Sequence, residues 1–228
     1  MSDFAHIPLA QITPSLTNPR KTFDAGKLAE LAASIKTSGV HQAVLVRPLP
    51  GSRVLDTDRT VQYELVTGER RLRACALAAL DAIPAVIRTL TDDQVLEIQI
   101  VENLQRDDLT ELEEAEGYEA LMQHSSLTAG QVGEKIGKSR SYVYGRLKLL
   151  DLCHEARASL RDRTIDASRA LLVARIPDHK LQIKAMKEIV KGETFYGSTG
   201  DPMGYRKAAE HVQRNYMLKL SDARFTIT

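Results

Sequence analysis

The sequence predicts an α+β chain in two parts. A small mixed α/β N-terminal domain comes first, and an all-α helix-turn-helix domain follows. Three observations carry this. Short strand-like apolar runs alternate with helix-like ones only in the first ninety residues. From Thr91 onward the apolar periodicity is helical, and capping signatures recur. Leu127 to Leu150 holds two helical patterns separated by a glycine.

In chain order, residues 1–20 read as an extended lead-in, because Pro8, Pro14 and Pro19 exclude a helix. Asp24 can cap a helix with Leu28, Leu31, Ala32 and Ile35 on one face, ending at Gly39. Val44–Pro48, residues 61–67 and residues 84–88 read as strands, with a polar loop over 49–60. Thr91 with Gln94 and Thr110 with Glu113 form capping boxes. Gly192 to Gly204 reads as a loop, and a last helix runs from Tyr205 to Lys219. Phe225–Thr228 looks like a strand start without a partner, so the chain is expected to be a piece of something longer. The expected domains are residues 1–90, linking helices over 91–124, a helix-turn-helix domain over 125–190, and a tail over 191–228.

Composition narrows the function classes. The 228 residues are 43% hydrophobic and 27% charged, with net charge +1. No global field therefore drives the chain onto nucleic acid. The charge is divided, however: residues 91–119 carry eleven acids against Arg106, and residues 127–175 carry ten bases against five acids. Cys75 and Cys153 are far apart and have no metal-ligand spacing, which suits packing thiols in a reducing compartment. No signal-peptide pattern or membrane-length apolar run is present, so a cytoplasmic protein is expected.

Gly68-Glu69-Arg70-Arg71-Leu72-Arg73 lies between a strand-like run and a helix-like one. A glycine there lets backbone N–H groups approach an anion, and the helix N-terminus adds partial positive charge. Arginines at that end oppose the helix dipole, so a polyphosphate is the natural counter-charge. Glu102, Asn103 and Arg106 follow on a second helix. An intrahelical Glu102–Arg106 salt bridge is the plain reading of that pair. Asn103 beside Glu102 adds a second hard oxygen donor suited to Mg²⁺, with Arg106 able to reach a phosphate.

Thr128 with Gln131 caps the first helix of the helix-turn-helix, Gly137 turns the chain, and Ser139 caps the second helix. Val143, Leu147 and Leu150 are expected to face inward. Arg140, Ser141, Tyr144 and Lys148 face outward, where short polar residues reach base edges and cations bind phosphate. Arg157, Arg161, Arg163 and Arg169 are further phosphate candidates. A plain amphipathic helix pair with a solvated basic face is the competing reading.

Six segments then occur in order: Asn18-Pro19-Arg20-Lys21-Thr22-Phe23-Asp24, Gly39-Val40-His41-Gln42, Val46-Arg47-Pro48, Gly68 to Ala74, Glu102-Asn103-Leu104-Gln105-Arg106, and Gly137-Lys138-Ser139-Arg140-Ser141. As a set, covering residues 5–175, they strongly resemble the ParB partition-protein family. The resemblance implies a ParB/sulfiredoxin-like N-terminal domain that binds CTP and Mg²⁺. It also implies a central domain reading a palindromic centromere-like parS site in double-stranded DNA. Two N-terminal domains would close on nucleotide into a homodimeric sliding clamp, which slow CTP hydrolysis reopens. A ParA-type ATPase is the implied partner, and the nucleoid or a plasmid is the implied location. By motif, Gly68, Glu69, Arg70 and Arg71 correspond to the triphosphate cradle, and Gly39 and Gln42 to the cytosine side. Arg20, Ser34 and Arg106 correspond to further nucleotide contacts, Asn103 to the Mg²⁺ residue and Glu102 to the hydrolysis residue. Thr128, Ser139, Arg140, Ser141, Tyr144, Lys148 and Arg169 are the DNA-side candidates.

The chain departs from the family pattern in places. Ala43 stands where a proline is usual, so the resemblance fixes a triphosphate more tightly than its base. Ala167-Ser168-Arg169-Ala170-Leu171 keeps the arginine of a His-Ala-Arg-Ala-Leu stretch but not the histidine. No C-terminal dimerisation domain is evident, and residues 190–228 match nothing in the common chromosomal members of the family, which points to a plasmid-type or divergent branch. A sequence-specific repressor with a vestigial or ATP-binding site is the alternative. Sulfiredoxin-like phosphotransfer would need a cysteine where Glu69 stands.

Overall fold

The computed structural model describes residues 3–18, 23–106, 108–192 and 201–217. The chain divides into two compact units, Met1–Arg106 and Asp107–Thr228.

In the first unit a five-stranded sheet carries the helices. Its strands are β1 (Asp3–Pro8), β2 (Ile12–Thr13), β3 (Val44–Pro48), β4 (Tyr63–Thr67) and β5 (Ala82–Ile87), in the order β1-β5-β3-β4-β2. The lead-in is thus more than extended chain. β1 pairs antiparallel with β5 from Asp3 opposite Ile87 to Pro8 opposite Ala82, and β2 pairs parallel with β4. Pro8 is tolerated because it ends an edge strand. Helices α1 (Ala25–Ser38) and α2 (Glu69–Leu77) pack together against the sheet, and α3 (Asp92–Leu104) packs on β4. Ile7, Ile35, Val44, Val46, Leu65, Leu72, Cys75 and Ile83 form the core between them.

Local chemistry sets the helix ends as expected. Asp24 Oδ1 accepts from Lys27 N at 3.0 Å, and that backbone bond holds its carboxyl below the usual range. Gly39, at φ 78°, ends α1 and donates to Ile35 O. Thr91 and Gln94 close a reciprocal capping box on α3. The loop over 49–60 carries a 3-10 turn, Gly51–Asp56. Arg53 Nη1 fastens it to Glu64 Oε1 at 2.7 Å.

The second unit is helical: α4 (Glu111–Ser125), α5 (Ala129–Ile136), α6 (Arg140–Lys148), α7 (His154–Arg161), α8 (Ala167–Val173), α9 (His179–Lys191) and α10 (Tyr205–Tyr216). Its core gathers Leu112, Leu149, Leu160, Ile165, Val173, Ile189 and Val212. Leu149 takes the inward place expected of Leu150, because α6 gives way after Lys148 to a 3-10 turn, Leu149–Asp151. Gln182, 1% exposed, accepts from Cys153 N at 2.7 Å and donates to the carbonyls of Asp151 and Ile176, both at 2.9 Å. One buried amide therefore satisfies three backbone groups, two in the loop after α6 and one after α8. Most of the expected 192–204 loop, the end of the last helix beyond Met217, and the strand start at Phe225–Thr228 lie outside the described residues. No described helix is long and apolar enough to cross a membrane.

Candidate nucleotide and nucleic-acid sites

β4 ends at Thr67, and Gly68 turns the chain in the left-handed region at φ 103°. A Cβ on Gly68 would meet Val44 Cγ1 at 2.7 Å, so dihedral and packing both require glycine. α2 starts at once, with Leu72 N donating to Gly68 O at 3.0 Å. The amides of Glu69, Arg70 and Arg71 precede the first intrahelical bond, as an anion site needs. Arg71 Nη1 donates to Gln42 O at 2.8 Å and to Ala43 O at 2.5 Å. Burial draws the Arg71 guanidinium below its ordinary pKa, and the nearby Glu102 carboxylate opposes that shift. Glu69 is 7% exposed, and its Oε1 accepts from Arg73 Nε at 2.8 Å. Its Oε2 is buried without a hydrogen-bond partner, an acceptor still open for a donor. The Arg73 guanidinium also stacks on Phe23, 4.2 Å from the ring centroid.

A cavity of about 340 Å³ opens over this turn. Gly68, Glu69, Arg70 and Arg71 line one side, and Gln42 and Glu102 face it from β3's approach and from α3. Six of the sequence-predicted residues are thus brought together. Ser34 is exposed on α1 and Gly39 ends that helix, and neither is on the cavity wall. Asn103 and Arg106 lie beside the wall rather than on it, and Arg106 Nη1 donates to Asn103 Oδ1 at 3.1 Å. Arg20 falls outside the described residues. Sequence reasoning missed Asn18, Phe23 and Gln99 on the wall. For Gln99 a signal existed: it stands one helical turn before Glu102 and Asn103.

The donors present fit a Mg²⁺–triphosphate. Backbone amides and two arginines face the cavity, and Glu102 offers a hard oxygen on its α3 side, with the Asn103 amide next to it in sequence. Among the described residues no group of three His, Cys, Asp or Glu could hold a metal by itself. An ion here would need phosphate oxygens to complete its shell, the usual arrangement for nucleotide-bound Mg²⁺.

In the second unit Thr128 and Gln131 close a capping box on α5, and Ser139 Oγ accepts from Tyr142 N at 3.2 Å to cap α6. Gly137 turns between them at φ 71°. Gly133 makes the turn tight: a Cβ there would lie 2.5 Å from Lys138 O. Arg140, Ser141, Tyr144 and Lys148 are all exposed on α6. The Arg140 guanidinium sits 5.2 Å from the Tyr144 ring, and Lys148 Nζ lies 2.5 Å from Asp151. The opposite side of α6 is pinned to α4. Tyr142 donates to Glu114 Oε2 at 2.9 Å, and Arg146 Nε lies 2.7 Å from the same oxygen. Burial opposes the charge on Arg146, but Tyr142 and Glu114 overcome it and leave the pKa raised. Arg157 is engaged by the carbonyls of Leu150 and Leu152, which makes it a part of the fold. Arg161 and Arg163 are exposed, and Arg169 lies 3.3 Å from Asp166.

Both units have counterparts among known protein families. The ParB N-terminal domain matches residues 1–104, and the ParB HTH domain matches residues 107–195. The chain belongs to the ParB family. The chromosome-partitioning protein Spo0J of Thermus thermophilus is 43% identical over 187 residues, covering 81% of this chain and 64% of that protein. A nucleoid occlusion protein of Bacillus mycoides is 33% identical over 189 residues, covering 83% of this chain and 62% of that protein. The chain thus spans a little under two thirds of the length of these curated relatives. Among solved structures, C-terminally truncated ParB from Caulobacter crescentus, complexed to the centromeric parS site, superimposes with a TM-score of 0.73. It is 33% identical, and the match covers 92% of this chain and 99% of that one.

The departures from the ParB pattern now have a structural setting. Ala43 contributes its carbonyl to Arg71, which a proline would contribute equally, so the strut survives the change. Ala167, where ParB proteins usually have histidine, opens α8 two residues before Arg169.

Proposed function

We propose that this ParB chain binds CTP with Mg²⁺ in the Gly68–Glu102 cavity and a palindromic, parS-like duplex through α5 and α6. The nucleotide would bring two copies together at their N-terminal units, closing a clamp that slides on DNA. Slow CTP hydrolysis would reopen it. The observation that carries this reading is the meeting of the phosphate turn and Glu102 in one cavity. Backbone amides of residues 69–71 and the Arg70 and Arg71 guanidiniums would hold the triphosphate, with Arg20, Ser34 and Arg106 as outer contacts. Gln42 and Gly39 lie on the base side. Glu102 would orient the attacking water, and Asn103 would contribute to the metal. Bound Mg²⁺ would neutralise phosphate charge as it builds. Thr128, Ser139 and Arg169 would position the DNA backbone, while Arg140, Ser141, Tyr144 and Lys148 face the groove.

The wider role that follows is segregation of a plasmid or chromosome, with the protein on the nucleoid or plasmid and a ParA-type ATPase as partner. Calorimetric titration with CTP, ATP, GTP and UTP tests the site, with turnover measured with and without a parS-type duplex. CTP binding with DNA-stimulated turnover is expected. Specific DNA binding with no nucleotide uptake would favour the repressor reading instead.

A further inference from the structure

We propose that Gln99 is a positioning residue for nucleotide hydrolysis, holding the Glu102 turn of α3 in register with the phosphate turn. The proposal rests on the nucleotide reading above. Gln99 is 2% exposed and borders the cavity. Its Oε1 accepts from Thr17 Oγ1 at 2.8 Å, and its Nε2 donates to Val66 O at 3.1 Å. Thr17 has one hydroxyl proton and gives it to Gln99. In the 3.0 Å contact between Ser15 Oγ and Thr17 Oγ1, Ser15 is therefore the donor. A directed chain results, from Ser15 through Thr17 and Gln99 to the Val66 carbonyl. Reversing the Gln99 amide would set its oxygen against that carbonyl, so the orientation is fixed by chemistry.

The carbonyl at the end of the chain is a special one. The β3–β4 register slips here: Leu45 stands opposite Thr67 and Val46 opposite Leu65, so Val66 has no residue opposite it in β3. The β2 pairing stops at Glu64. Bulges of this kind re-aim a strand beside functional sites, at the cost of a ladder bond. Gln99 supplies a donor to that bulge from another element. Val66 is two residues before Gly68, while Gln99 is three before Glu102 and four before Asn103, on the same helical face. Thr17 adjoins Asn18 on the cavity wall. One side chain thus ties the lead-in, the phosphate turn and the Glu102 turn. A leucine could fill the volume but could not set this register.

The test compares wild type with Gln99→Leu, Gln99→Glu and Thr17→Val in the full chain, with a parS-type duplex present. Affinity is read with a non-hydrolysable CTP analogue and kcat with CTP. A misplacement of about 1 Å can cost roughly 100-fold in rate. Both Gln99 variants should lose kcat by about 10- to 100-fold while analogue affinity stays within about threefold. Thr17→Val, which keeps the Val66 bond and removes the part-buried contact to Gln99 Oε1, should lose less. In the free protein, Gln99→Leu should speed amide hydrogen exchange over residues 66–71. Wild-type kcat in both Gln99 variants, or affinity and kcat falling in equal measure, would overturn the positioning role. Wild type that takes up no nucleotide would sink the nucleotide reading, and the hydrolytic role with it.

Discussion

Arg71 spans the N-terminal cavity's two rims: from the first turn of α2 its Nη1 reaches the Gln42 carbonyl at 2.8 Å, and Ala43's at 2.5 Å. The Gly68 turn and the Gln42–Ala43 segment are therefore joined by one guanidinium. Arg71→Ala removes a cation from the cavity and releases the loop together. Charge-assisted hydrogen bonds contribute about 1.5–3 kcal/mol each, so nucleotide affinity should fall by ~100-fold or more. Arg71→Lys should recover only part, since an ammonium cannot reproduce the planar fork. Calorimetric titration with CTP checks both variants. Specific DNA binding should persist, and unchanged CTP affinity would remove Arg71 from the cradle.

Glu102 faces the same cavity from α3, close enough to offset part of the lowering that burial imposes on the Arg71 pKa. Glu102→Gln keeps its shape and removes its charge. Nucleotide binding should hold or tighten, because a negative charge beside the phosphates is gone. Hydrolysis should fall by about 10²-fold or more, the usual scale for a lost proton acceptor or water-orienting group. Single-turnover measurement with saturating CTP is the readout. Turnover at the wild-type rate would end the role assigned to Glu102.

These two residues were legible in the sequence because their signals are local. So were the caps at Asp24, Thr91, Thr110, Thr128 and Ser139, each closed on the residue three places on. Gly68 and Gly137 were legible for a similar reason, as glycines between two periodic runs that take positive φ. β1 was not legible: its residues gain strand character only from β5, at the far end of the unit. The place of Gln99 one turn before Glu102 was legible, but its bonds to Thr17 and Val66, far off in sequence, were not. Arg47 and Arg53 gain their shared partner only when the β3–β4 pairing and the 51–56 turn bring them to Glu64.

Gly133 carries the close approach within the helix-turn-helix. A methyl group there would lie 2.5 Å from Lys138 O, whose own N–H donates to Gly133 O at 2.8 Å. Neither atom can move without opening the turn. Gly133→Ala should therefore destabilise the second unit by about 1–3 kcal/mol, in the range of overpacking, and weaken specific DNA binding. Gly130→Ala on the same helix is the control, since its nearest neighbours would be 3.9 Å away. Thermal melts of the two variants should differ clearly. Equal melts would show that the turn can yield.

Arg47 is 6% exposed and joins three parts of the first unit. Its Nε donates to Glu64 Oε2 at 2.8 Å, its Nη1 to Leu90 O at 3.1 Å, and its Nη2 lies 2.5 Å from Asp92 at the start of α3. Burial works against the guanidinium's charge, but Asp92 and Glu64 more than offset this and leave its pKa raised. Arg47→Met leaves Glu64 buried with only Arg53 to balance it. Removing one partner of a buried pair costs about 3–5 kcal/mol, and the remaining Arg53 contact argues for the lower end. Urea unfolding of the chain measures this. Arg47→Met with Glu64→Leu should restore much of the loss, since an apolar pair has no charge to strand.

Glu188 fastens α10 to α9. Its Oε2 accepts from the Tyr216 hydroxyl at 2.5 Å and lies 2.7 Å from His211 Nε2. Burial pushes this carboxyl up, but Tyr216 and His211 pull it down further, to below its ordinary 4.5. Burial, then Glu188, pushes the Tyr216 phenol up. A carboxyl whose folded pKa is depressed stabilises the fold above its unfolded value and loses that contribution as pH falls through the folded one. The docking of α10 should therefore be intact at neutral pH and weaken below pH 4.5. Glu188→Gln should be less stable than wild type at pH 7 and nearly equal to it in acid, because protonation has by then removed the same charge. Amide exchange over residues 205–216 across this range reads the docking directly. Parallel pH profiles for the two proteins would show that the carboxylate does not hold the helix.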